Sequence, residues 1–515
     1  MGALHRVRTT LGVAILALAA VALAPPSVSA EQAQASLRIS PPVYVGGQRL
    51  TFEGNIGRLG VRRIRLQIRW GTPGALWNEP EREWHGWTKG DGSFTFRYPA
   101  PSMFGLHARV VTAGAATPAR PVTARSQDLG LTVVPDNPQV GENFAIEVDT
   151  TPTFMWRGDL PGPAFKGRTL TLQQRVGGNR WKTLGTTTTD DQGQGRFQET
   201  AAAPGVVVYR VRQEDWFADG NEIGWFPSFP TYVRVGGAGA SAASTTQQPS
   251  ARTASAATTE ASQPASRVDS SDSASQTHGW GRALWDFGFA FGESLTSPPY
   301  RGSDLHGRWL DTSNGSGRAV PHNGQLILDS QRNHLGAGDF GTTAATLRGN
   351  PMRYGRWEVK LWLKTPENDA RDYRVSVELV PDRRPDSNCG VITVADVAAH
   401  QGGVTVGARA LRSATRWTYR KPLTRLTSAS AAFAVEMTRR HISWFVNGRV
   451  IATVRSPAAV PDVPMTLRMS MKGKGETAEM NRTTALSDWQ RAFPLKNGKL
   501  STGGHALRRG TYGGC

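Results

Sequence analysis

A long stretch of small and polar residues divides this chain and sets the first limit on its fold. Residues 236–279 are mainly Ala, Ser, Thr and Gln, and Val268 is the one large apolar residue among them. Such a segment buries too little surface to offset the entropy of ordering it, so it is predicted to be a flexible, disordered linker. The 515-residue chain therefore folds in separate parts on either side.

The part before the linker contains two similar segments, 36–135 and 136–235. Each has an alternating strand, "LQIR" (66–69) or "LQQR" (172–175), followed by a Gly/Asp turn and a Phe-bearing strand. Short alternating strands with turns about every ten residues are typical of small antiparallel β-sandwiches. The pattern resembles immunoglobulin-like modules. Their tryptophans fit either internal packing or a sugar-stacking surface: Trp70, Trp77, Trp84, Trp87, Trp216 and Trp225.

The first 30 residues have the order of a secretory signal peptide. Arg6 and Arg8 precede a short apolar run, and small side chains at Val28 and Ala30 come before a polar start at Glu31. The run is shorter than the roughly 20 residues that span a membrane, which disfavours an uncleaved anchor. We expect cleavage after Ala30 and a secreted, extracellular mature chain with no membrane span.

The charge of the chain bears on its partners. The formal net charge is +19, with arginines scattered through all regions and no dense basic block. No nucleic-acid-binding motif is present, so a specific nucleic-acid partner is not expected. A basic surface favours acidic cell-wall polymers, anionic glycans or nucleic acid as nonspecific partners, but the scattered arginines fit an ordinary charged surface better.

The two cysteines, Cys389 and Cys515, lie far apart in the sequence. In an oxidising compartment the simplest expectation is that they form a disulfide. Closing a loop of more than about 100 residues would stabilise the fold by roughly 4 kcal/mol. The alternative is two free or intermolecular thiols.

The part after the linker, 280–515, also has the alternation of β-strands. Its segments include "NGQLILDS" (323–330), "YGRWEVKLWLK" (354–364), "VELVPD" (377–382) and "FAVEMTRRHISWFVNGRVIATV" (433–454), and Asn447-Gly448 in the last predicts a tight hairpin. In this order the segments resemble glycoside hydrolase family 16. The resemblance implies a concanavalin A-like β-jelly roll, and hence an all-β chain, acting on β-glucans or galactans.

The catalytic strand of that family carries its carboxylates in the pattern E-x-D-x-E or E-x-D-x-x-E, and in the longer pattern a β-bulge absorbs the extra residue. Placing Gly390 on the family's glycine puts Val391 at the nucleophile, Thr393 at the middle aspartate and Asp396 at the acid/base. Valine cannot attack an anomeric carbon, so a retaining double displacement cannot run on this strand. The degenerate motif favours a polysaccharide-binding protein that has lost catalysis.

Two alternatives remain open. An inverting hydrolase needs an acid and a base about 6.5–9.5 Å apart, and Asp396 with Glu378 or His400 is a candidate pair. Asp396 instead fits a structural ion pair with one of the many arginines. The other alternative function is a structural or adhesive surface protein that binds no glycan.

The segment "TRWTYRK" (415–421) supplies the candidate carbohydrate contacts. Trp417 and Tyr419 offer ring faces for a sugar, and Arg416 and Arg420 suit an anionic glycan. Internal packing of Trp417 is the alternative.

No cofactor or metal is expected from the sequence. The histidines are isolated, so zinc-ligand spacing is missing. The segments "GDGS" (90–93) and "DDQGQG" (190–195) have turn composition, although a loose calcium site is a second interpretation.

Overall fold

A computed structural model describes residues 34–515 except 43, 71–74, 81–82, 103–104, 123, 126, 152–163, 238–272, 290–306, 323, 332–340, 367, 474–479 and 514. The predicted signal peptide and most of the predicted linker lie outside these residues. Nearly all regular structure in the described part is β-strand. No helix among the described residues is long and apolar enough to cross a membrane.

Residues 36–125 form the first module. Strands β1, β3 and β6 make one sheet, β5, β4, β7, β8 and β9 make a second, and β2 pairs with β10. Phe52, Phe94 and Leu66 belong to the core between the sheets. The strands are β1 Ser36–Ser40, β2 Tyr44–Val45, β3 Arg49–Asn55, β4 Arg63–Trp70, β5 His85–Trp87, β6 Ser93–Pro99, β7 Leu106–Thr112, β8 Ala115–Ala116, β9 Arg120–Val122 and β10 Ala124–Arg125.

Residues 130–235 form the second module, which repeats the plan of the first. A sheet of β11, β12 and β15 faces a sheet of β14, β13, β16, β17 and β18. A short 3-10 helix covers Ala218–Gly220. The strands are β11 Gly130–Val134, β12 Asn143–Asp149, β13 Thr169–Gly177, β14 Arg180–Thr188, β15 Gln194–Thr200, β16 Gly205–Gln213, β17 Phe226–Pro227 and β18 Thr231–Val235.

Residues 285–511 form a larger sandwich of two eight-stranded sheets. Helix α1, Ala274–Thr277, precedes it, and a 3-10 helix spans Pro457–Ala459. The strands are β19 Trp285–Phe287, β20 Arg308–Asp311, β21 Arg318–His322, β22 Gln325–Ser330, β23 Thr342–Arg348, β24 Gly355–Lys364, β25 Arg374–Pro381, β26 Ile392–Ala398, β27 Val404–Arg409, β28 Thr415–Lys421, β29 Ala431–Met437, β30 Ile442–Val446, β31 Arg449–Val454, β32 Met465–Lys472, β33 Thr483–Phe493 and β34 Arg508–Thr511.

The front sheet has the order β20-β23-β32-β25-β26-β27-β28-β34, and the back sheet has β21-β22-β33-β24-β29-β30-β31 with β19 beside β33. The chain passes repeatedly from one sheet to the other, as in a jelly roll. One apolar cluster fills the space between them and includes Trp357, Val377 and Trp444. The predicted all-β class with a C-terminal jelly roll is therefore confirmed, and the immunoglobulin-like character of the modules stays a prediction.

The second module packs against the sandwich. Val320, Ile327 and Leu486 of the sandwich share an apolar cluster with the core of the module. The buried Arg318 forms an ion pair with Asp128 at 2.9 Å. Although a linker was predicted between them, these two parts share a packed and ion-paired interface.

Two chain segments cover the outer face of the back sheet. The amide of Ala274, in the last part of the predicted linker, donates to the buried Glu358 carboxylate. On the other side of the same face, Glu436 accepts hydrogen bonds from Arg356 at 2.7 Å and from the amide of Ser501 at 2.8 Å. The polar groups of this face are thus enclosed by the chain.

The disulfide prediction is confirmed. Cys389 and Cys515 are bonded, with 5.7 Å between their Cα atoms. The bond fixes the end of the chain beside the loop that leads into β26, next to the edge strand β34 of the front sheet.

Candidate functional site

Strand β26, which the sequence resemblance aligned with the family's catalytic strand, lies inside the front sheet, between β25 and β27. Its register against β27 shifts between Thr393 and Asp396, which is the bulge that the motif requires. The indole of Trp444, from the back sheet, donates to the Thr393 carbonyl at 2.9 Å. A β-bulge therefore lies between the two positions that the sequence resemblance aligned with the family's middle aspartate and acid/base.

Val391, which the resemblance aligned with the family's nucleophile, is completely buried. The preceding Gly390 has φ of +69°, a left-handed conformation that suits glycine. A Cβ at Gly390 would lie 2.7 Å from Leu411. The entry to the strand is therefore closed and apolar where a nucleophile would have to meet a substrate.

The surface of the front sheet that points away from the core, here called the front face, is organised in rows of cross-strand neighbours. In the serine row, residues of six adjacent strands are directly paired: Ala344, Ser470, Ser376, Asp396, Thr405 and Arg420. In the threonine row beside it, the paired residues are Thr346, Arg468, Glu378, Thr393, Gly407, Thr418 and Arg508. At about 4.8 Å between strands, five steps of the serine row span roughly 24 Å.

Asp396 lies in the middle of the serine row, with 30% of its side chain exposed. It forms an ion pair with Arg374, on the neighbouring strand. Burial raises the pKa of Asp396 above its usual value, and Glu378 raises it further, although Arg374 acts in the opposite direction. The carboxyl is thus partly neutralised by a guanidinium and holds its proton more tightly than an ordinary aspartate.

The two predicted partners of Asp396 are engaged elsewhere. Glu378, in the threonine row, forms an ion pair with Arg468 at 2.7 Å. His400 lies in the turn after β26, where its Nδ1 contacts Asp372 at 2.7 Å. The structure therefore brings Asp396 and Glu378 to one face, each with its own arginine, and ties His400 to a different carboxylate.

The four candidate carbohydrate contacts divide between the two faces of β28. Arg416 and Arg420 are exposed on the front face. Trp417 is only 5% exposed and packs in the core, as the alternative interpretation proposed. Tyr419 packs against the same core and stacks on His505 with ring centroids 4.9 Å apart. Since successive residues of a strand point to opposite faces, the arginines and the aromatic rings cannot share one surface.

The end of the front face near β34 has an excess of positive charge. Arg409 and Arg416 are direct cross-strand neighbours, and Arg420 and Arg508 end the two rows. None of these four arginines forms an ion pair with a described residue. This end of the face can accept a negative ligand group, because its guanidinium donors are not used by carboxylates of the described chain.

Sequence reasoning missed the hydroxyl groups of this face. Ser376, Ser470 and Thr405 lie beside Asp396 in the serine row and were not singled out. Their signal was the period-two alternation of "RVSVELV" and "VTVGAR", which places small polar residues on the face opposite the valines.

One aspartate of each of the two turn segments makes hydrogen bonds within its own turn. Asp91 accepts hydrogen bonds from the amide and hydroxyl of Ser93, and Asp190 accepts from the amide of Gln194, so both close turns. Glu79, Glu83 and His85 bring three potential ligand atoms within 4.8 Å of one another, in a partly exposed group. Glu79 is already paired with Arg65 at 2.9 Å.

No protein-family model and no curated protein matches the chain. Among solved structures, the chain is similar to the catalytic domain of an endo-1,3-beta-glucanase (laminarinase) from Thermotoga petrophila RKU-1, with 12% identity over 42% of this chain and 98% of that one and a TM-score of 0.33. The chain is also similar to the laminarinase from Rhodothermus marinus, with 16% identity over 41% of this chain and 97% of that one and a TM-score of 0.32. It is similar as well to SCLam, a non-specific endo-beta-1,3(4)-glucanase from family GH16, with 12% identity over 42% of this chain and 91% of that one and a TM-score of 0.32.

Proposed function

We propose that this is an exported protein that binds an anionic polysaccharide across the front face of its jelly roll and does not hydrolyse it. The observation that carries the proposal is the pair of cross-strand rows, in which small hydroxyl-bearing residues lead to arginines without ion pairs. Serine and threonine hydroxyls suit the hydroxyl groups of a sugar chain. Guanidinium groups bind carboxylate or sulfate oxygens in bidentate fashion.

The composition of the face favours an anionic ligand over a neutral one. None of the residues in the two rows is aromatic, so neither row offers a ring on which a neutral glucan could stack. The net charge of +19 raises the local concentration of polyanions. Export is supported by the signal-peptide pattern and by the disulfide between Cys389 and Cys515.

Loss of hydrolysis is supported by the state of three positions. Val391 is buried and has no nucleophilic atom. Asp396 and Glu378 each face an arginine. A retaining mechanism needs one carboxylate free to attack and a second as acid and base, about 5–5.5 Å apart.

Binding is tested by affinity electrophoresis of the mature chain in gels that contain alginate, a sulfated galactan or a neutral β-1,3-glucan. We expect retardation by an anionic polymer and none by the glucan. Arg416→Gln combined with Arg420→Gln should weaken binding at least about tenfold, or about 1.4 kcal/mol. Arg58→Gln with Arg97→Gln removes the same charge from exposed sites of the first module and should change the affinity less than about twofold. Equal weakening by both pairs, or retardation by the glucan alone, would contradict the proposal.

A second candidate function is an inverting hydrolase that uses Asp396 as its acid. The raised pKa of Asp396, caused first by burial, is the observation in its favour. The test is release of new reducing ends from β-1,3-glucan, mixed-linkage glucan, xyloglucan, agarose and an anionic galactan. Release that disappears in Asp396→Asn would establish this alternative. No release and no retention on any polymer would leave a structural or adhesive role.

A further inference from the structure

The two N-terminal modules carry the same four-residue cluster at equivalent positions. In the second module, Gln173 is the cross-strand neighbour of Arg210, and Arg175 is the neighbour of Trp181. In the first module, Gln67 is the neighbour of Arg109. The bridge between Ile68 and Asn78 puts Trp77 opposite Arg69.

In both clusters two arginine guanidinium groups contact the ring of the tryptophan. Trp181 lies between Arg175 and Arg210, at 5.0 and 4.2 Å from its ring centroid. Trp77 lies between Arg69 and Arg109, at 4.7 and 4.1 Å.

In both clusters the second arginine also donates to the glutamine. The Nε of Arg210 contacts Gln173 at 2.9 Å, and the Nε of Arg109 contacts Gln67 at 2.9 Å. The Gln67–Arg69–Trp77–Arg109 cluster is thus a structural copy of the one in the second module.

The cluster of the second module is a docking site for the sandwich. Arg210 forms an ion pair with Asp311 at 3.0 Å. Arg175 donates to the carbonyl oxygens of Asn314 and Gly315, at 3.2 and 2.7 Å. The bound element is the loop between β20 and β21, which presents a carboxylate and then two backbone carbonyls.

The cluster of the first module has no such occupant among the described residues. Arg69 and Arg109 form no ion pair there, and burial together with the charge of Arg69 lowers the pKa of Arg109 below its usual value. Glu79, on the neighbouring segment, is paired with Arg65. Beside the cluster, Leu76 is 70% exposed, which adds apolar surface next to the two arginines.

We propose that the Gln67–Arg69–Trp77–Arg109 cluster docks an acidic loop of a partner protein, in the way that the second module docks the Asp311–Gly315 loop. The ligand chemistry is a carboxylate followed, three and four residues later, by free backbone carbonyls. The Trp77 ring already contacts the guanidinium groups of Arg69 and Arg109, which leaves less of its surface for a sugar. A polyanionic glycan lacks the two carbonyl acceptors at fixed spacing, so a protein loop fits the copied geometry better.

The test uses the full chain and a fluorescein-labelled cyclic peptide of residues 310–317, with fluorescence anisotropy as the readout. Saturable binding is expected, and Asp311→Asn in the peptide should weaken it at least about tenfold. In the protein, Arg69→Gln with Arg109→Gln should have a similar effect. Arg58→Gln with Arg97→Gln, outside the cluster, should leave binding within about twofold.

Several outcomes would overturn the proposal. These are no saturation at millimolar peptide, equal binding of the Asn peptide, or binding that survives loss of Arg69 and Arg109. Should those two substitutions instead weaken retention on the anionic polysaccharide, the cluster would be a glycan contact. An unfolding measurement checks the double variant, and the peptide pair gives an answer even if that variant is unstable.

Discussion

The two outer faces of the jelly roll hold the same kind of ion pair in opposite settings. On the back sheet, Arg356 and Glu436 are fully buried and 2.7 Å apart. On the front sheet, Arg374 and Asp396 are 41% and 30% exposed. A charge pair enclosed by the chain is part of the folded framework, whereas a pair at a surface can exchange partners with a ligand.

The two carboxylates also differ in their hydrogen-bond partners and in the direction of their pKa shifts. Glu436 also contacts His441 at 3.2 Å and accepts from the Ser501 amide. Burial alone would raise the pKa of Glu436, but these hydrogen bonds and Arg356 hold it below its usual value. On the front sheet burial prevails, and the pKa of Asp396 is raised.

The largest expected effect comes from breaking the enclosed pair. Glu436→Gln leaves the Arg356 guanidinium buried without a counter-charge, and we expect the free energy of unfolding to fall by about 3–5 kcal/mol. Urea denaturation followed by tryptophan fluorescence measures it. A loss below about 1 kcal/mol would mean that the covering segments do not seal this face.

Removing the disulfide should have the next largest effect. Cys389→Ser releases the chain beside β34, and the lost loop constraint should cost about 2–4 kcal/mol. Adding a reductant should lower the free energy of unfolding of the wild-type protein by the same amount and should leave that of the variant unchanged. A shift that also weakens polysaccharide binding would show that the edge of the front sheet depends on this anchor.

The pH dependence should have opposite signs on the two faces. The folded pKa of Glu436 is lowered, so its contribution is present above the unfolded value of about 4.3 and is lost as the pH falls through the folded pKa. The folded pKa of Asp396 is raised, so its contribution is present below about 3.9 and is lost as the pH rises through the folded pKa. Unfolding curves of wild type, Glu436→Gln and Asp396→Asn between about pH 3 and 7 should therefore give difference curves of opposite slope. Difference curves with slopes of the same sign would contradict the opposite pKa shifts of Glu436 and Asp396.

The smallest effect is expected for Asp396→Asn at neutral pH. A partly exposed ion pair at a surface contributes about 0–1 kcal/mol, and asparagine keeps the size of the side chain. A loss comparable to that of Glu436→Gln would remove the distinction between the two faces and assign Asp396 a structural role.

Much of the fold could be predicted from local pattern. The alternation of apolar and polar residues predicted the strands, and Asn447-Gly448 predicted the hairpin between β30 and β31. The presence of two cysteines in a chain expected to be exported predicted the disulfide. The resemblance to the family's catalytic strand implied that Asp396 lies on the outer face of a bulged strand, and the register shift beside it agrees with that.

The rest of the site depended on contacts between segments that are distant in sequence. The partner of Asp396 is Arg374, one of many arginines, and no spacing distinguishes it. The ion pair of Arg318 with Asp128, which helps to join the second module to the sandwich, has no local signal either. The orientation of Trp417 was accessible from alternation, because Arg416 and Arg420 cannot lie on its side of β28.

The interface between the second module and the sandwich makes the peptide connection between them redundant. Apolar packing, Arg318 and the docked Asp311–Gly315 loop hold the two parts together independently of residues 238–272. A protease that nicks that segment would therefore yield two fragments that elute as one particle and separate under denaturing conditions. Under the proposed function of an exported polysaccharide binder, the jelly roll and its companion modules would stay together after the backbone between them is cut.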